Sequence, residues 1–128
     1  MIRLKCSSRT SRRLRTLLTE FATWLDANYR VQHEITVRLF DKPQLSHTDK
    51  TFSAASFYHG DKPEIWLAVK WRNWANILSW EMARLYLLDS FAHEFCHYAR
   101  WKSGEKNWGN HRGLQRRVNA MLKRFEGR

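Results

Sequence analysis

The sequence predicts an α+β fold in a single domain spanning residues 1–128. Apolar residues recur at helical spacing near both ends of the chain, and short stretches between them alternate between apolar and polar residues. A third observation is the span from residue 73 to 102, which contains neither glycine nor proline. The predicted order is an N-terminal helix, a three-stranded sheet, a long helix and a C-terminal helix.

The N-terminal helix is predicted over residues 11–28, after a short basic leader. Apolar residues recur there every three or four positions, and Thr10 or Ser11 can cap the first turn. Residues 33–40 then switch to a period of two, which is typical of a strand with one buried face. This segment is the predicted first strand.

The middle of the chain predicts a loop and a β-hairpin. Residues 41–50 indicate a loop, and residues 52–59 a short strand followed by a Gly-Asp-Lys-Pro turn at 60–63. Residues 65–69 form the clearest strand pattern, because both their alternation and their residue types favour β-structure. The turn between them favours a hairpin.

The second half of the chain predicts helices. One long helix, or two shorter ones, fills the span 73–102, and Gly104 stands where a helix is expected to end. After a connector over residues 103–110, helical periodicity returns and continues to the end of the chain, so that His111 is expected to open the last helix.

The charge predicts a polyanionic partner. Lys and Arg exceed Asp and Glu by 11, and such a field attracts nucleic acid, whether DNA or RNA. The alternatives are a solubilising charge or an acidic protein partner. Candidate phosphate-binding residues, which are otherwise ordinary solvated helix positions, are Arg12, Arg13, Arg116, Arg117, Lys123 and Arg124.

Composition predicts a cytoplasmic monomer without membrane contact. No stretch reaches the roughly 20 apolar residues that a membrane helix needs, and the first residues lack the apolar run of a signal peptide. The two cysteines, Cys6 and Cys96, are too few for a disulfide scaffold, so we expect reduced thiols.

The chemistry is concentrated in His93-Glu94-Phe95-Cys96-His97, an HExxH motif inside the predicted long helix. Two imidazoles four residues apart lie on the same helix face, which suits two ligands of one Zn²⁺ ion. Glu94 can then take a proton from water at the open position of the metal. The alternative is a pair of histidines that only decorate a helix.

A catalytic zinc usually has three protein ligands, so a third donor is needed. His111 is the preferred candidate, because the connector after His97 is long enough for the chain to reverse and lay the last helix across the site. Glu105 is the second candidate. The extended HExxHxxGxxH spacing fails, since Arg100 and Ser103 occupy the required Gly and His positions.

The stretch HEFCHYARW, followed downstream by NHRGLQRRVNAML, resembles the SprT-like (Spartan-type) zinc metalloproteases. The resemblance covers most of the chain in element order and residues 65–121 in sequence. It implies a minimal zincin-like core with His93, His97 and His111 as zinc ligands and Glu94 as the catalytic acid-base residue. The family's four-cysteine zinc ribbon does not follow here, so we expect any DNA targeting to come from the domain's own basic surface.

These features predict a zinc metalloprotease that hydrolyses peptide bonds, acting on nucleic-acid-associated proteins. Two alternatives stay open: a zinc-stabilised nucleic-acid-binding module without catalysis, and a metallopeptidase that cleaves a regulator. By analogy with zincins, a peptide substrate is expected to add to the third strand, provided that this strand is the sheet edge. The residues concerned are Ile65, Trp66, Leu67, Ala68 and Val69.

Further polar residues are candidates for supporting roles. Asp89 lies one turn before His93 and could hydrogen-bond a metal-bound imidazole, or could instead pair with an arginine. Stabilisation of a developing oxyanion could come from a tyrosine or histidine, and the spacing prefers none of them. Those candidates are Tyr58, His59, Tyr86 and Tyr98.

Overall fold

The computed structural model describes residues 1–7, 9–74 and 79–128 and confirms the α+β class. Three α-helices and six strands are present in that part of the chain. The helices are α1 (Arg12–Asn28), α2 (Trp80–Lys102) and α3 (Leu114–Glu126). The strands are β1 (Ile2–Lys5), β2 (Ile35–Phe40), β3 (Leu45–Ser46), β4 (Phe52–Ser53), β5 (Ala55–Tyr58) and β6 (Glu64–Ala68).

The main sheet has four strands in the order β1-β2-β6-β5, so the predicted count of three is wrong. The additional strand is β1, which pairs in parallel with β2 and aligns Ile2 with Ile35. Its amide at Ile2 also donates to the Asp26 carboxylate at 2.9 Å. Four residues that include two cations give too short a pattern to separate a strand from a basic leader.

Residues 41–50 are not all loop, because Leu45 and Ser46 form β3 and pair antiparallel with β4. The predicted hairpin is confirmed: β5 and β6 are antiparallel, with Tyr58 aligned to Glu64 on either side of the turn. The chain therefore folds back twice before the long helix begins.

The Ile65 to Val69 strand is not the sheet edge, so the condition for peptide addition to this strand is not met and these residues are not the predicted peptide-binding site. Strand β6 lies between β2 and β5, with Ile65 and Leu67 fully buried and Trp66 half-buried. Among the described residues, β5 is the edge strand on this side of the sheet, and no strand pairs with its outer edge. Strand order depends on long-range pairing, which the local pattern of a strand does not contain.

In the part of the chain that the structure describes, the helices lie on one face of the sheet. Alternate residues of β2 are buried, starting at Ile35, whereas Arg38 on the other face pairs with Glu64 of β6. Helices α1 and α2 pack on the buried face and α3 packs on α2. Edge-to-face contacts join the three helices, because the ring of Phe21 lies 5.2 Å from that of Phe91 and 4.9 Å from that of Phe125.

Local signals set the ends of α2, the helix that carries the motif. The hydroxyl of Ser79 accepts a hydrogen bond from the Met82 amide at 3.2 Å, which satisfies one free donor of the first turn. The helix stops after Lys102, and Gly104 follows in the left-handed region at φ 78°. The sequence predicts that the helix starts at residue 73. In the structure Trp71–Asn73 form a 3₁₀ turn and α2 begins at Trp80, while residues 75–78 lie outside the described residues.

Candidate metal centre

Two adjacent turns of α2 present His93 and His97 to the same space, as the motif predicts. Their Nε2 atoms lie 3.2 Å apart, and their ring centroids are 4.8 Å apart. Four residues of helix advance the chain by about 6 Å and return to nearly the same face, so the backbone itself brings the rings together.

His111 completes a group of three. Its ring centroid lies 5.0 Å from that of His93 and 5.2 Å from that of His97. One ligand atom from each of the three residues lies within 4.8 Å of the others, an arrangement that could hold a metal ion. The structure thus brings together the three histidines that sequence analysis selected.

The position of His111 in the chain differs from the prediction. It does not open the last helix but lies in a turn before it, and its carbonyl oxygen accepts the Leu114 amide at 3.1 Å. In the structure the connector between α2 and α3 therefore comprises residues 103–113. Gly113 adopts φ 71°, a left-handed conformation that separates this turn from α3. Glu105, the second candidate, is exposed and lies 3.8 Å from Arg117 instead of in the histidine group.

A main-chain carbonyl fixes the orientation of His97. The Nδ1 atom lies 2.8 Å from the carbonyl oxygen of Trp108 in the connector. Because a carbonyl only accepts hydrogen bonds, Nδ1 carries the proton, and the lone pair is left on Nε2, which faces His93. Metal-binding histidines are typically oriented in this way.

Burial keeps two of the imidazoles neutral. It lowers the pKa of His93 to about 4, and the neighbouring His97 and His111 rings add to the effect. Burial also lowers the pKa of His97, partly offset by its hydrogen bond to Trp108. A metal ion binds only the neutral imidazole, so both rings are ready ligands near neutral pH.

Glu94 faces the same cleft as the histidines and is only 7% exposed. Desolvation of the carboxylate raises its pKa to about 7, well above the ordinary 4.5. A carboxyl group with a pKa near neutrality can both accept and release a proton at physiological pH. This property matches the role that the motif predicts.

The cleft around these residues has a volume of about 520 Å³, and its lining is acidic although the chain as a whole is basic. Its two acidic lining residues are Asp89 and Glu94, and none of the lining residues in the described part of the chain is Lys or Arg. Its walls come from β5, from α2, from the connector and from residues around the β3–β4 hairpin. Further lining residues are His47, Ser53, Ser56, Phe57, Tyr58, Tyr86, Ser90, Trp108 and Gly109.

The supporting residues separate into those that reach the cleft and those that do not. Tyr58 and Tyr86 line it. The Tyr98 hydroxyl is instead engaged by the Gln32 amide and the His33 ring, and His59 packs against the Trp101 and Trp108 rings. The Asp89 carboxylate lines the cleft and accepts a hydrogen bond from the Gln115 side chain at 2.9 Å.

The candidate phosphate-binding residues do not form one patch. All six are exposed, but Arg12 and Arg13 lie in the first turn of α1, whereas Arg124 of α3 stacks on Trp24 and Tyr29 at the other end of that helix. Trp24 lies twelve positions after Arg12, which is about 18 Å along the helix axis. The remaining three, Arg116, Arg117 and Lys123, are on α3.

Arg100, near the candidate metal centre, is not among the site residues that the sequence predicts. Its guanidinium is buried and hydrogen-bonds to the connector on both sides of His111. A cation in the last turn of a helix is ordinarily solvated. Its interaction with the helix dipole is favourable whether the side chain is buried or exposed. No signal in the local sequence distinguishes a buried arginine there from an exposed one.

Comparison of this chain with protein-family models, with curated proteins and with solved structures found no match.

Both cysteines are free thiols, with Cys96 buried on α2 and Cys6 partly exposed. Among the described residues, no helix is both long and apolar enough to cross a membrane.

Proposed function

We propose that this chain is a zinc-dependent peptidase in which His93, His97 and His111 hold the metal and Glu94 is the general base. The observation that carries this proposal is the convergence of three imidazoles and one buried carboxyl group in a single cleft. The sequence resemblance to SprT-like metalloproteases points to the same four residues.

The donor set fits zinc. Two nitrogen ligands at about 2.05 Å from one tetrahedral zinc lie about 3.3 Å apart, and the Nε2 atoms of His93 and His97 are separated by 3.2 Å. In the described part of the chain the metal-binding group contains three residues. Three protein ligands leave one coordination position open, which is typical of catalytic zinc and not of structural zinc.

A zinc ion bound here would supply Lewis acidity that polarises the substrate carbonyl and acidifies water. Glu94 accepts a proton from the attacking water and returns it to the nitrogen of the leaving amine. The low-dielectric surroundings that raise the Glu94 pKa also strengthen its interaction with a developing charge. Tyr58 and Tyr86 line the cleft, and we propose them as the candidates for stabilising the oxyanion.

The charge of the cleft favours a peptide over a nucleic acid as the cleaved molecule. The chain carries 23 Lys and Arg, yet the described cleft lining contains none of them and has two carboxylates. Apart from the proposed zinc ion, a phosphate backbone would meet no cation in the described lining and would face the carboxyl groups of Asp89 and Glu94. A neutral or basic peptide segment would not be repelled.

The free edge of β5 offers a place for that peptide to bind. In the β5–β6 ladder the Ala68 amide donates to the Ala54 carbonyl at 2.9 Å, which fixes the alternation of hydrogen-bonded pairs. Ala55 and Phe57 therefore direct their main-chain groups away from β6. An extended peptide added there would run along the cleft, whose lining includes all of β5.

The basic exterior suggests which proteins are cleaved. A net charge of +11 raises the local concentration of the enzyme near polyanions. Because the cations lie outside the cleft, nucleic acid can be held on the surface while a protein bound to it is cut. We therefore propose nucleic-acid-associated proteins as substrates. We also propose the cytoplasm as the location of the protein.

Substitution of the proposed base tests the function. Glu94→Gln is expected to bind zinc as the wild-type protein does and to cleave a DNA-bound basic protein at least about 100-fold more slowly, because general-base catalysis contributes roughly 10²- to 10⁴-fold. Glu105→Gln, on the exposed connector, is the control and should cleave normally. Cleavage products are mapped by mass spectrometry.

Unchanged cleavage by Glu94→Gln would remove Glu94 from the mechanism. Absence of cleavage by the zinc-loaded wild-type protein, together with tight and salt-dependent DNA binding, would support instead a zinc-stabilised nucleic-acid-binding module. A third class, a peptidase that cleaves a regulator, uses the same site and differs only in which protein is cut.

A further inference from the structure

Arg100 connects the helix that carries two of the histidines to the segment that carries the third. It lies three residues after His97 on α2 and is only 6% exposed. Its Nη1 donates to the carbonyl oxygen of Asn110 at 2.6 Å, and its Nη2 donates to the carbonyl oxygen of Arg112 at 2.9 Å. These two carbonyl groups belong to the residues on either side of His111.

We propose that Arg100 is a positioning residue that holds His111 in place as the third metal ligand. The proposal rests on the zinc site proposed above and adds a residue that touches neither metal nor substrate. One guanidinium fixes the backbone before and after His111, which limits both the place of its Cα atom and the direction of its side chain.

The burial of this charge is the first argument for a specific role. A buried guanidinium is costly unless hydrogen bonds compensate it. In the described part of the structure the Arg100 side chain has no carboxylate partner, and its Nε atom has no hydrogen-bond partner at all. The two carbonyl groups flanking His111 are its hydrogen-bond acceptors.

The shape of the guanidinium is the second argument. Its planar fork presents two N–H groups in a fixed relation and so can bridge two acceptors at once, whereas a lysine ammonium is a point charge on a flexible stem. Hydrogen bonds with one charged partner are also stronger than neutral ones. Arginine suits a clamp on two carbonyl groups in a way that lysine does not.

The weakness of the other restraints on this segment is the third argument. Asn110, His111 and Arg112 are exposed. The Arg112 amide donates to the Asn110 side chain at 2.7 Å, the Asn110 amide donates to the Asn107 carbonyl, and the Leu114 amide donates to the His111 carbonyl at 3.1 Å. Each of these bonds joins residues no more than three positions apart, so none of them ties the segment to α2. Among the described residues, side-chain hydrogen bonds from α2 to the connector come from His97, to Trp108, and from Arg100.

Zinc affinity and amide exchange together test the proposal. Arg100→Met removes the clamp and keeps the apolar stem, and Arg100→Lys keeps the charge and loses the fork. The matched control is Arg84→Met, because Arg84 also lies on α2 and its guanidinium bridges to α3, at Glu126, far from the connector. Each variant is titrated with zinc against a chelator, and hydrogen exchange of amides 109–113 is followed in the metal-free protein.

Arg100→Met is expected to bind zinc 10- to 100-fold more weakly, as is typical when a residue that orients a ligand is lost. Arg100→Lys should fall between it and wild type, and Arg84→Met should match wild type. Amides 109–113 should exchange faster in metal-free Arg100→Met and not in Arg84→Met. In a His111→Ala background, Arg100→Met should change zinc affinity less than about twofold, because a residue that acts through His111 has nothing left to position.

Wild-type zinc affinity in Arg100→Met would overturn the proposal, as would an equal loss of affinity with and without His111. If Arg100→Met does not fold, Arg100→Lys decides, and wild-type affinity in that variant would overturn the fork argument. The proposed function fails separately: a protein that binds zinc through Arg100-dependent positioning and cleaves no peptide refutes the peptidase and leaves Arg100 in its role. If the wild type binds no zinc, unchanged exchange of amides 109–113 in Arg100→Met overturns the clamp.

Discussion

The Nδ1 atom of His97 lies 2.8 Å from the carbonyl oxygen of Trp108, eleven residues further along the chain. This hydrogen bond links the motif helix to the connector and decides which nitrogen of the imidazole is free. The Nε2 atom left without a proton lies 3.2 Å from the Nε2 atom of His93. The hydrogen bond therefore gives His97 the tautomer and orientation that a metal-binding histidine needs.

The tautomer of His97 is a direct prediction of that hydrogen bond. In the metal-free protein at pH 7, the neutral ring is expected to carry its proton on Nδ1, because the carbonyl of Trp108 can only accept. Long-range nitrogen–proton correlation NMR distinguishes the two tautomers. A ring protonated on Nε2 would contradict the orientation of the site.

The stability of the metal-free protein should depend on Glu94 and pH. The folded pKa is raised to about 7 from 4.5, so between these pH values the folded state binds more protons than the unfolded state and the free energy of unfolding falls as pH rises. At about 1.36 kcal/mol per pKa unit, the fall is on the order of 3 kcal/mol. Glu94→Gln lacks this term, so its stability relative to wild type should increase by that amount between pH 4.5 and pH 8.

Chemical denaturation of the two proteins at several pH values measures this difference. The lowered pKa of His93 contributes in the opposite direction, since stability from that group falls as pH drops from 6.5 towards 4, but it contributes equally to both proteins. A difference between wild type and Glu94→Gln that does not change with pH would show that Glu94 ionises as an exposed carboxylate does.

The free edge of β5 should bind substrate through Ala55. Ala55→Pro removes an amide that points away from β6, so the ladder between β5 and β6 is expected to survive while the peptide loses a hydrogen bond. We expect a KM for a peptide substrate raised by about fivefold to tenfold, from about 1 kcal/mol of lost hydrogen bonding. Ala55→Val keeps the amide and should have the wild-type KM; equal effects of both variants would refute strand addition here.

Nucleic-acid binding is predicted to involve the exposed cations of α3. Arg116 and Lys123 are seven residues apart, hence on the same face, and neither forms an ion pair in the described part of the structure. Replacing both with Gln should lower the slope of log affinity against log salt by up to about 1.8, since each phosphate group that a cation neutralises adds about 0.9 to that slope. Cleavage of a short peptide should not change.

The separate pair on α1 provides the comparison for that measurement. Arg12→Gln with Arg13→Gln should change the salt slope less, because the Arg13 guanidinium already lies 4.5 Å above the Trp80 ring. Suppose that the α3 double variant leaves the salt slope unchanged and the α1 double variant reduces it. The nucleic-acid interface would then lie at the N-terminal end of α1 and not on α3.

Much of the fold can be predicted from the local pattern of apolar residues. The remaining features depend on pairing between strands that are distant in the sequence. The bounds of helix α1 and strand β2 can be predicted within a few residues, because apolar residues recur there with the period of a helix and of a strand. The interior place of β6 depends on its neighbours β2 and β5, and β1 gains its strand conformation from pairing with β2. Neither relation is visible in a window of a few residues.

The candidate site divides in the same way. His93 and His97 converge because of helix geometry alone, so their spacing is sufficient to predict it. His111 is identifiable as a chemically suitable residue at a plausible chain distance, but its place in a turn depends on the left-handed Gly113. Arg100 cannot be identified in this way, because its role depends on two main-chain carbonyl groups ten and twelve residues away.

Diffraction from a crystal of the zinc-loaded protein, recorded on both sides of the zinc absorption edge, tests whether the three histidines bind one zinc ion. We expect one anomalous peak about 2.0–2.1 Å from a nitrogen of each of His93, His97 and His111, with an oxygen from solvent as the fourth ligand. A peak that excludes His111, a fourth protein ligand, or no zinc in this cleft would refute the proposed site.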